Sequence, residues 1–206
     1  LGLFATEKKN LKYFGYEPCS ETHDGLIKMA KHYNFSADIK KCGSEEEVFD
    51  EKMDFAFSSP PYFNQEVYSN EPTQAYNKFP KYEDFLEGYW KKTVENIKTM
   101  LKDNALFVVN VGNSANDKMQ KIADDYTKIV KECGFELSEK IIMKTSRSHL
   151  TNKRSTQNKF KYEYIFVYRK SSQMEINKVY CGDSVQLIPA MDVHPTLIIL
   201  HPPDIS

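Results

Sequence analysis

Paired cysteines, long apolar runs and a strong net charge are all absent from this chain of 206 residues. Its four cysteines (Cys19, Cys42, Cys133 and Cys181) are widely spaced and form no CxxC pair, which argues against a zinc site and a disulfide framework. We therefore expect a reducing, cytoplasmic location and no bound metal. No apolar stretch approaches the roughly 20 residues that cross a bilayer, and the first residues lack the features of a signal peptide. We expect no membrane association.

The net charge of −1 excludes a surface that attracts polyanions everywhere, yet one segment is strongly basic. Residues 140–161 contain one histidine, no acidic residue and seven lysines and arginines, namely Lys140, Lys144, Arg147, Lys153, Arg154, Lys159 and Lys161. A basic segment on a nearly neutral protein is typical of a phosphate-binding surface and favours nucleic acid as a partner. The alternative is a solvated loop whose lysines maintain solubility.

Alternating strand and helix signals predict an α/β fold with a mostly parallel sheet. Predicted helices cover 23–33, 82–101 and 118–133, with the end of another at 1–8, and we expect Trp90 to lie in the core. Predicted strands cover 11–16, 38–42, 53–58, 104–111, 135–143 and 162–169. We expect the last two, which flank the basic segment, to form an antiparallel hairpin at the sheet edge. Residues 63–81 form a long loop without periodicity, which either closes over a ligand or is a surface loop.

The sequence Ser59-Pro60-Pro61-Tyr62 directly follows the apolar strand predicted at 53–58. Two prolines end the strand and fix the backbone at its carboxyl end, which is where open α/β sheets bind ligands. The Ser59 hydroxyl and the Pro60 carbonyl can both accept hydrogen bonds from an amino group, and Tyr62 offers a face for stacking. These groups suit a planar substrate that carries an amine. The alternative is a rigid turn with an exposed ring.

This motif resembles the (Asp/Asn/Ser)-Pro-Pro-(Tyr/Phe/Trp) motif of the DNA amino-methyltransferases, which methylate adenine N6 or cytosine N4 with S-adenosylmethionine. The resemblance covers about residues 1–170 and implies a Rossmann-like class I methyltransferase fold. It also implies double-stranded DNA as the partner and a target base flipped out of the duplex. The catalytic residues implied are Ser59, Pro60, Pro61 and Tyr62.

The resemblance extends to other positions. Glu17, at the end of the first predicted strand, matches the acidic residue that binds the cofactor ribose. The stretch that contains Ser44 and Glu45 matches the region near the cofactor adenine, and Pro18 and Ser58 complete the implied cofactor-binding set. The implied substrate and DNA contacts are Phe63, Arg147, Lys153, Arg154 and Lys159.

One family feature is missing, because no Phe-x-Gly-x-Gly cofactor loop occurs in the chain. We expect the first strand and this loop to lie upstream of Leu1, and we expect the chain alone to bind the cofactor weakly or not at all. Two other functions stay open: methylation of RNA guanine or protein glutamine, and a non-catalytic methyltransferase remnant that binds nucleic acid.

Residues 171–206 resemble the opening of a second module of the same family. A predicted strand at 176–180, a short helix ending at 191 and a strand at 196–200 lead to His201-Pro202-Pro203-Asp204, where the stacking ring is absent. We expect 1–170 to be the catalytic domain and 171–206 to begin a degenerate or truncated second module. The alternative is an extension that adds strands to the first domain. Self-association, or pairing with a second methyltransferase module, is a further expectation.

Overall fold

The computed structural model describes residues 11–63, 69–113, 117–145, 161–170 and 196–200, with the backbone alone at 112–120, 144–145, 161–162 and 196–200. The predicted helix end at 1–8, the strand at 176–180 and the helix up to 191 lie outside these residues. The strands are β1 (Lys12–Tyr16), β2 (Ala37–Lys40), β3 (Met53–Ser58), β4 (Leu101–Asn113), β5 (Phe135–Thr145), β6 (Lys161–Lys170) and β7 (Thr196–Leu200). The helices are α1 (Ser20–His32), α2 (Ala75–Lys78), α3 (Tyr82–Phe85), α4 (Lys92–Met100) and α5 (Asp117–Glu132), and a π-helical segment (Leu86–Lys91) joins α3 to α4.

All seven strands form one sheet in the order β2-β1-β7-β3-β4-β6-β5. Strands β2, β1, β7, β3 and β4 are mutually parallel, whereas β6 is antiparallel to both β4 and β5. This arrangement confirms the α/β prediction and the antiparallel hairpin at the edge. From β1 the chain continues outward to β2, and from β3 it continues in the opposite direction to β4. Such a change of direction opens a crevice at the carboxyl ends of the strands, where α/β proteins bind ligands.

The core lies on the face of the sheet that the helices between β3 and β5 cover. Trp90 and Tyr126 are fully buried there, with their rings stacked 4.8 Å apart, and the Trp90 indole N–H donates to the Tyr126 carbonyl. The prediction that Trp90 belongs to the core is confirmed. Helix α5 ends before Gly134, which has a φ of +86° and so provides the left-handed turn into β5.

The predicted long helix is present, but its middle is π-helical and it ends at Met100, where β4 begins immediately. Gly88 lies in the π-helical segment, and a Cβ atom there would come within 2.3 Å of the Phe79 ring. The wide π-helical turn and the absence of a side chain at Gly88 let Phe79, which follows α2, pack closely against this segment. Isolated π-helical turns are frequent at functional sites.

Strand β7 lies between β1 and β3 and pairs in parallel with both. Its bounds agree with the predicted strand at 196–200. The sequence Thr-Leu-Ile-Ile-Leu suits this position, because inner parallel strands are buried on both faces and are almost continuously apolar. The structure thus adds this strand to the first sheet, while the start of a second module at 171–206 stays a prediction.

Candidate functional site

The segments that follow β1, β2 and β3 converge on one cavity. Its lining comprises Tyr16, Pro18, Gly43, Ser44, Glu45, Pro61, Thr73, Gln74, Ala75, Tyr76 and Tyr89. Since β7 separates β1 from β3, the ends of these two strands lie roughly 10 Å apart, which is two strand spacings. The cavity therefore occupies the crevice where the chain changes direction.

The prolines of the motif after β3 are held in place by the core. Pro60 and Pro61 are both buried, while Ser59 is half-buried. The hydroxyl of the buried Tyr126 donates to the Pro61 carbonyl, so α5 fixes the motif backbone. The stacked Trp90 in turn holds the Tyr126 ring.

The aromatic residues of the motif pack sideways onto the core. Tyr62 is half-buried against the core cluster, and Phe63 packs edge-to-face on Tyr82 and Phe85, with ring centroids 5.5 and 5.2 Å away. Phe63 has a φ of 52°, a left-handed conformation that is unfavourable for a bulky residue.

Glu17 is 4% exposed, and its Oε1 accepts a hydrogen bond of 2.8 Å from the Cys19 N–H, just before α1 begins. Burial raises the pKa of Glu17; the Cys19 N–H and nearby His23 oppose this rise, while the negative charge of Glu71 adds to it. In the structure, the carboxylate thus satisfies the backbone N–H of Cys19, the residue that directly precedes α1. Its expected contact with a cofactor ribose stays a prediction.

The turn after β2 is built around Glu45. Gly43 permits this, because a Cβ atom there would lie 2.1 Å from Glu45 Oε2. Lys78 at the end of α2 donates to Glu45 Oε1 at 2.6 Å and to Glu46 Oε1 at 2.5 Å. The Ser44 hydroxyl shares a hydrogen bond of 2.8 Å with Thr93. This turn is therefore tied both to the long helix and to α2.

A segment that we name the cover, residues 71–78, lies over the cavity. The Glu71 carboxylate accepts hydrogen bonds from the Ser20 N–H and hydroxyl at the start of α1. The Thr73 hydroxyl donates to the Pro18 carbonyl at 2.9 Å. Together with the Lys78 ion pairs, these contacts fix the cover over the ends of β1 and β2.

Two buried polar atoms on the cavity lining have no hydrogen-bond partner among the described residues. They are Glu45 Oε2, an acceptor, and Gln74 Nε2, a donor. The cavity volume is about 30 Å³, enough for a water molecule but smaller than a purine ring. A larger ligand therefore requires the lining residues to move apart.

Of the predicted site residues, Pro18, Ser44, Glu45 and Pro61 line the cavity. Ser58, Ser59, Pro60 and Tyr62 lie at the same end of the sheet without being part of its lining, as do Glu17 and Phe63. Arg147, Lys153, Arg154 and Lys159 lie outside the described residues. The site residues predicted from the sequence did not include the other lining residues, which are Tyr16, Gly43, Thr73, Gln74, Ala75, Tyr76 and Tyr89. Tyr16 and Gly43 had a signal, because each directly precedes a predicted site residue at the end of a predicted strand.

A family comparison decides the class of the protein: the model of the DNA methylase (N6/N4) family matches residues 53–188. The chain belongs to the DNA methylase family. The match begins at β3 and so includes the motif Ser59-Pro60-Pro61-Tyr62. No curated protein matches the chain significantly.

Solved structures share the fold of this DNA methylase chain at low sequence identity. A methyltransferase from Pyrococcus furiosus is 14% identical over 83% of this chain and 68% of that one, with a TM-score of 0.53. StiE O-MT is 7% identical over 83% and 72%, with a TM-score of 0.50. An S-adenosylmethionine-dependent O-methyltransferase from Thermotoga maritima is 15% identical over 80% and 51%, with a TM-score of 0.45. The first two structures, with TM-scores of 0.50 and above, confirm the predicted class I methyltransferase fold.

No helix among the described residues has the length and apolar character required to span a membrane. Within the same residues, histidine, cysteine and acidic side chains form no cluster that could hold a metal ion.

Proposed function

We propose that this DNA methylase chain transfers a methyl group from S-adenosylmethionine to the exocyclic amine of a flipped base, cytosine N4 or adenine N6. One observation carries the proposal. The motif Ser59-Pro60-Pro61-Tyr62 is held at the carboxyl end of β3, beside a cavity on which the ends of β1 and β2 converge. A likeness in fold alone would leave the acceptor atom open, because class I methyltransferases act on several kinds of atom.

The residues around the cavity fit the cofactor chemically. An adenine can supply the donor that Glu45 Oε2 lacks and the acceptor that Gln74 Nε2 lacks. Ser44, Glu45 and Pro18 would hold the adenine, Glu17 the ribose, and Ser58 would support the β3 end. The cofactor, when bound, supplies the methyl group as a sulfonium.

The motif's task is to hold the acceptor nitrogen. The Ser59 hydroxyl and the Pro60 carbonyl accept hydrogen bonds from the two N–H groups of the amine. These bonds draw the nitrogen lone pair out of conjugation with the base. Tyr62 stacks on the base, an interaction worth roughly 1–3 kcal/mol by analogy with other base–aromatic pairs, and Phe63 forms part of the wall. Positioning of this kind can be worth several kcal/mol in the barrier. The buried prolines and the Tyr126 bond make the position rigid.

The hairpin geometry supports DNA as the partner. Asn113 at the end of β4 pairs with Tyr162, and Thr145 at the end of β5 pairs with Lys161. The β5–β6 connection therefore leaves the sheet at the edge where the site lies. That connection carries Arg147, Lys153, Arg154 and Lys159.

The proposal also includes pairing with a second copy or a second methyltransferase module. It further includes a reducing location, in which Cys19, Cys42 and Cys133 are free.

The test is transfer of labelled methyl groups from S-adenosylmethionine to duplex DNA, RNA and protein. We expect labelled DNA, and a fall of at least about a hundredfold for Ser59→Ala and Tyr62→Ala, because misplacement of the nucleophile is that costly. Exposed Ser138→Ala and Tyr33→Ala are the matched controls. Label found only on RNA or protein, or full activity in both motif variants, would overturn the proposal.

A second candidate, a non-catalytic remnant that binds nucleic acid, is favoured by the small cavity under the cover. Calorimetric titration of S-adenosylmethionine into this chain and into a form that also carries the family's cofactor loop separates the two. Saturable binding in the form with the loop supports the enzyme, whereas DNA binding without cofactor binding in either form supports the remnant.

A further inference from the structure

Two side chains with opposite hydrogen-bonding roles are buried at the same cavity and lack a partner among the described residues. Gln74 is 4% exposed and offers Nε2 as a donor, and the Glu45 side chain is 5% exposed and offers Oε2 as an acceptor. A buried polar atom without a hydrogen bond destabilises a fold, because it has lost its contacts with water and gained none in return. Two such atoms on one small cavity indicate a ligand that supplies both bonds.

The Glu45 carboxylate and the Gln74 backbone are both held in place. Glu45 Oε1 is bound to Lys78, and its carboxylate lies close to Gly43. Gln74 precedes α2: its backbone N–H donates to the Glu71 carbonyl, and its backbone carbonyl accepts from the Asn77 and Lys78 amides. Glu45 Oε2 and Gln74 Nε2 therefore remain available to a ligand.

An adenine ring has the matching edge. Its amino group is a donor, and it is flanked by the acceptor nitrogens N1 and N7. A carboxylate next to an amide N–H can thus grip the amino group and one neighbouring ring nitrogen at once. The two ring edges differ only in which nitrogen the amide meets.

We propose that Gln74 determines cofactor specificity by donating to a ring nitrogen of the cofactor adenine while Glu45 accepts from its amino group. This inference rests on the proposed function, since it assumes S-adenosylmethionine as the ligand. The cover shifts outward when the ring enters, and Gln74, which is part of the cover, then closes on the ring edge. Binding of cofactor and closure of the cover become one event.

Calorimetry with S-adenosylhomocysteine and its 1-deaza and 7-deaza analogues tests the inference on a form of the chain that also carries the family's Phe-x-Gly-x-Gly cofactor loop. We expect the wild type to bind one of the two analogues about tenfold more weakly, the loss of one buried hydrogen bond. Gln74→Met keeps the shape of the side chain but removes the donor. It should bind S-adenosylhomocysteine about tenfold more weakly than the wild type does, and it should bind that analogue as tightly as it binds S-adenosylhomocysteine. Exposed Asn70→Met, which lies just outside the cover, should discriminate as the wild type does.

Gln74→Glu is a second variant for the case in which the methionine variant does not fold. It places a carboxylate opposite Glu45, and we expect it to weaken binding beyond tenfold at neutral pH. Discrimination that survives in Gln74→Met, or wild-type affinity in Gln74→Glu, would overturn the inference and leave the proposed function intact. No binding of S-adenosylhomocysteine by the wild-type form that carries the cofactor loop would overturn the proposed function itself.

Discussion

Glu17 combines deep burial with a carboxylate, and this combination sets a conflict between stability and function. Burial raises the pKa of Glu17, so its ionised form destabilises the fold at neutral pH. Glu17→Gln keeps an oxygen for the Cys19 N–H and removes the charge. We expect thermal unfolding at pH 7 to shift to a higher midpoint, while the affinity for S-adenosylmethionine falls.

The rise in the thermal midpoint of Glu17→Gln should depend on pH as the Glu17 carboxyl group titrates. The rise is complete above the raised pKa of Glu17. It vanishes below the ordinary glutamate pKa of about 4.3, where Glu17 is protonated in both the folded and the unfolded wild type. Exposed Glu21→Gln in α1 is the control and should not raise the midpoint at pH 7. A lower midpoint for Glu17→Gln at pH 7, or a gain that persists at pH 3, would contradict this account.

Tyr126 is a positioning residue for the motif. Tyr126→Phe keeps the stacking on Trp90 but leaves the buried Pro61 carbonyl without its hydroxyl donor. We expect a loss of roughly 1–3 kcal/mol in the free energy of unfolding, with a larger fall in kcat than in cofactor affinity. Tyr168→Phe is the matched control. The Tyr168 hydroxyl is buried without a partner among the described residues, so its removal should be neutral or stabilising. Equal losses in the two variants would contradict the assignment.

At the residue scale, the sequence could place the motif but not the cover. Two prolines after a strand end it and restrict the backbone there. Ser59 and Pro61 could therefore be predicted to lie at the carboxyl end of the strand, where α/β sheets bind ligands. Gln74 lies in a stretch without periodicity, and its burial arises only when α2 folds back over the ends of β1 and β2. No local signal records such a long-range contact.

At the element scale, Lys78 ties α2 to the turn after β2. Lys78→Met removes both of its ion pairs, leaving the buried Glu45 carboxylate unpaired. Loss of one partner from a buried pair is costly, and we expect the cover to open locally. Hydrogen exchange of the Asn77, Lys78 and Phe79 amides should accelerate, while α4 amides stay protected. Lys92→Met, which breaks only an exposed pair with Glu95, is the control. Unchanged exchange in the cover would contradict this role.

Hydrophobic periodicity predicted the elements well where packing follows local pattern. The strands β3 and β7 have the predicted bounds, and α5 differs by one residue at each end. The π-helical turn and α2 were missed, because both depend on how Phe79 packs against Gly88 rather than on a repeat in the sequence. The hydrophobic pattern of a strand also does not indicate which strands it pairs with. The place of β7 between β1 and β3 could therefore not be predicted.

At the scale of the whole molecule, β7 is the strand that joins two parts of the sheet. In the described residues β1 and β3 meet only through it. A chain ending at residue 195 should therefore lose the hydrogen-bonded connection within the sheet between β2-β1 and the other strands, with a lower thermal midpoint and a less cooperative transition by circular dichroism. An unchanged midpoint would instead support our prediction that 171–206 opens a separate module.

The last prediction concerns the electrostatics of the site edge, where the β5–β6 connection leaves the sheet. If its basic residues neutralise phosphates, each releases counterions on binding, and the salt dependence of DNA affinity counts them. Changing Arg147, Lys153 and Arg154 to glutamine together should lower the slope of log K against log[salt] by up to roughly 2.7, about 0.9 for each phosphate that is no longer neutralised. Lys28, Lys31 and Lys92, exposed on α1 and α4, provide a matched triple control with the same charge change. Both triple variants have the same net charge, so a difference between their slopes arises from local interactions with the DNA and not from overall attraction. A slope that stays at the wild-type value in the first variant would assign these residues to a solvated loop instead.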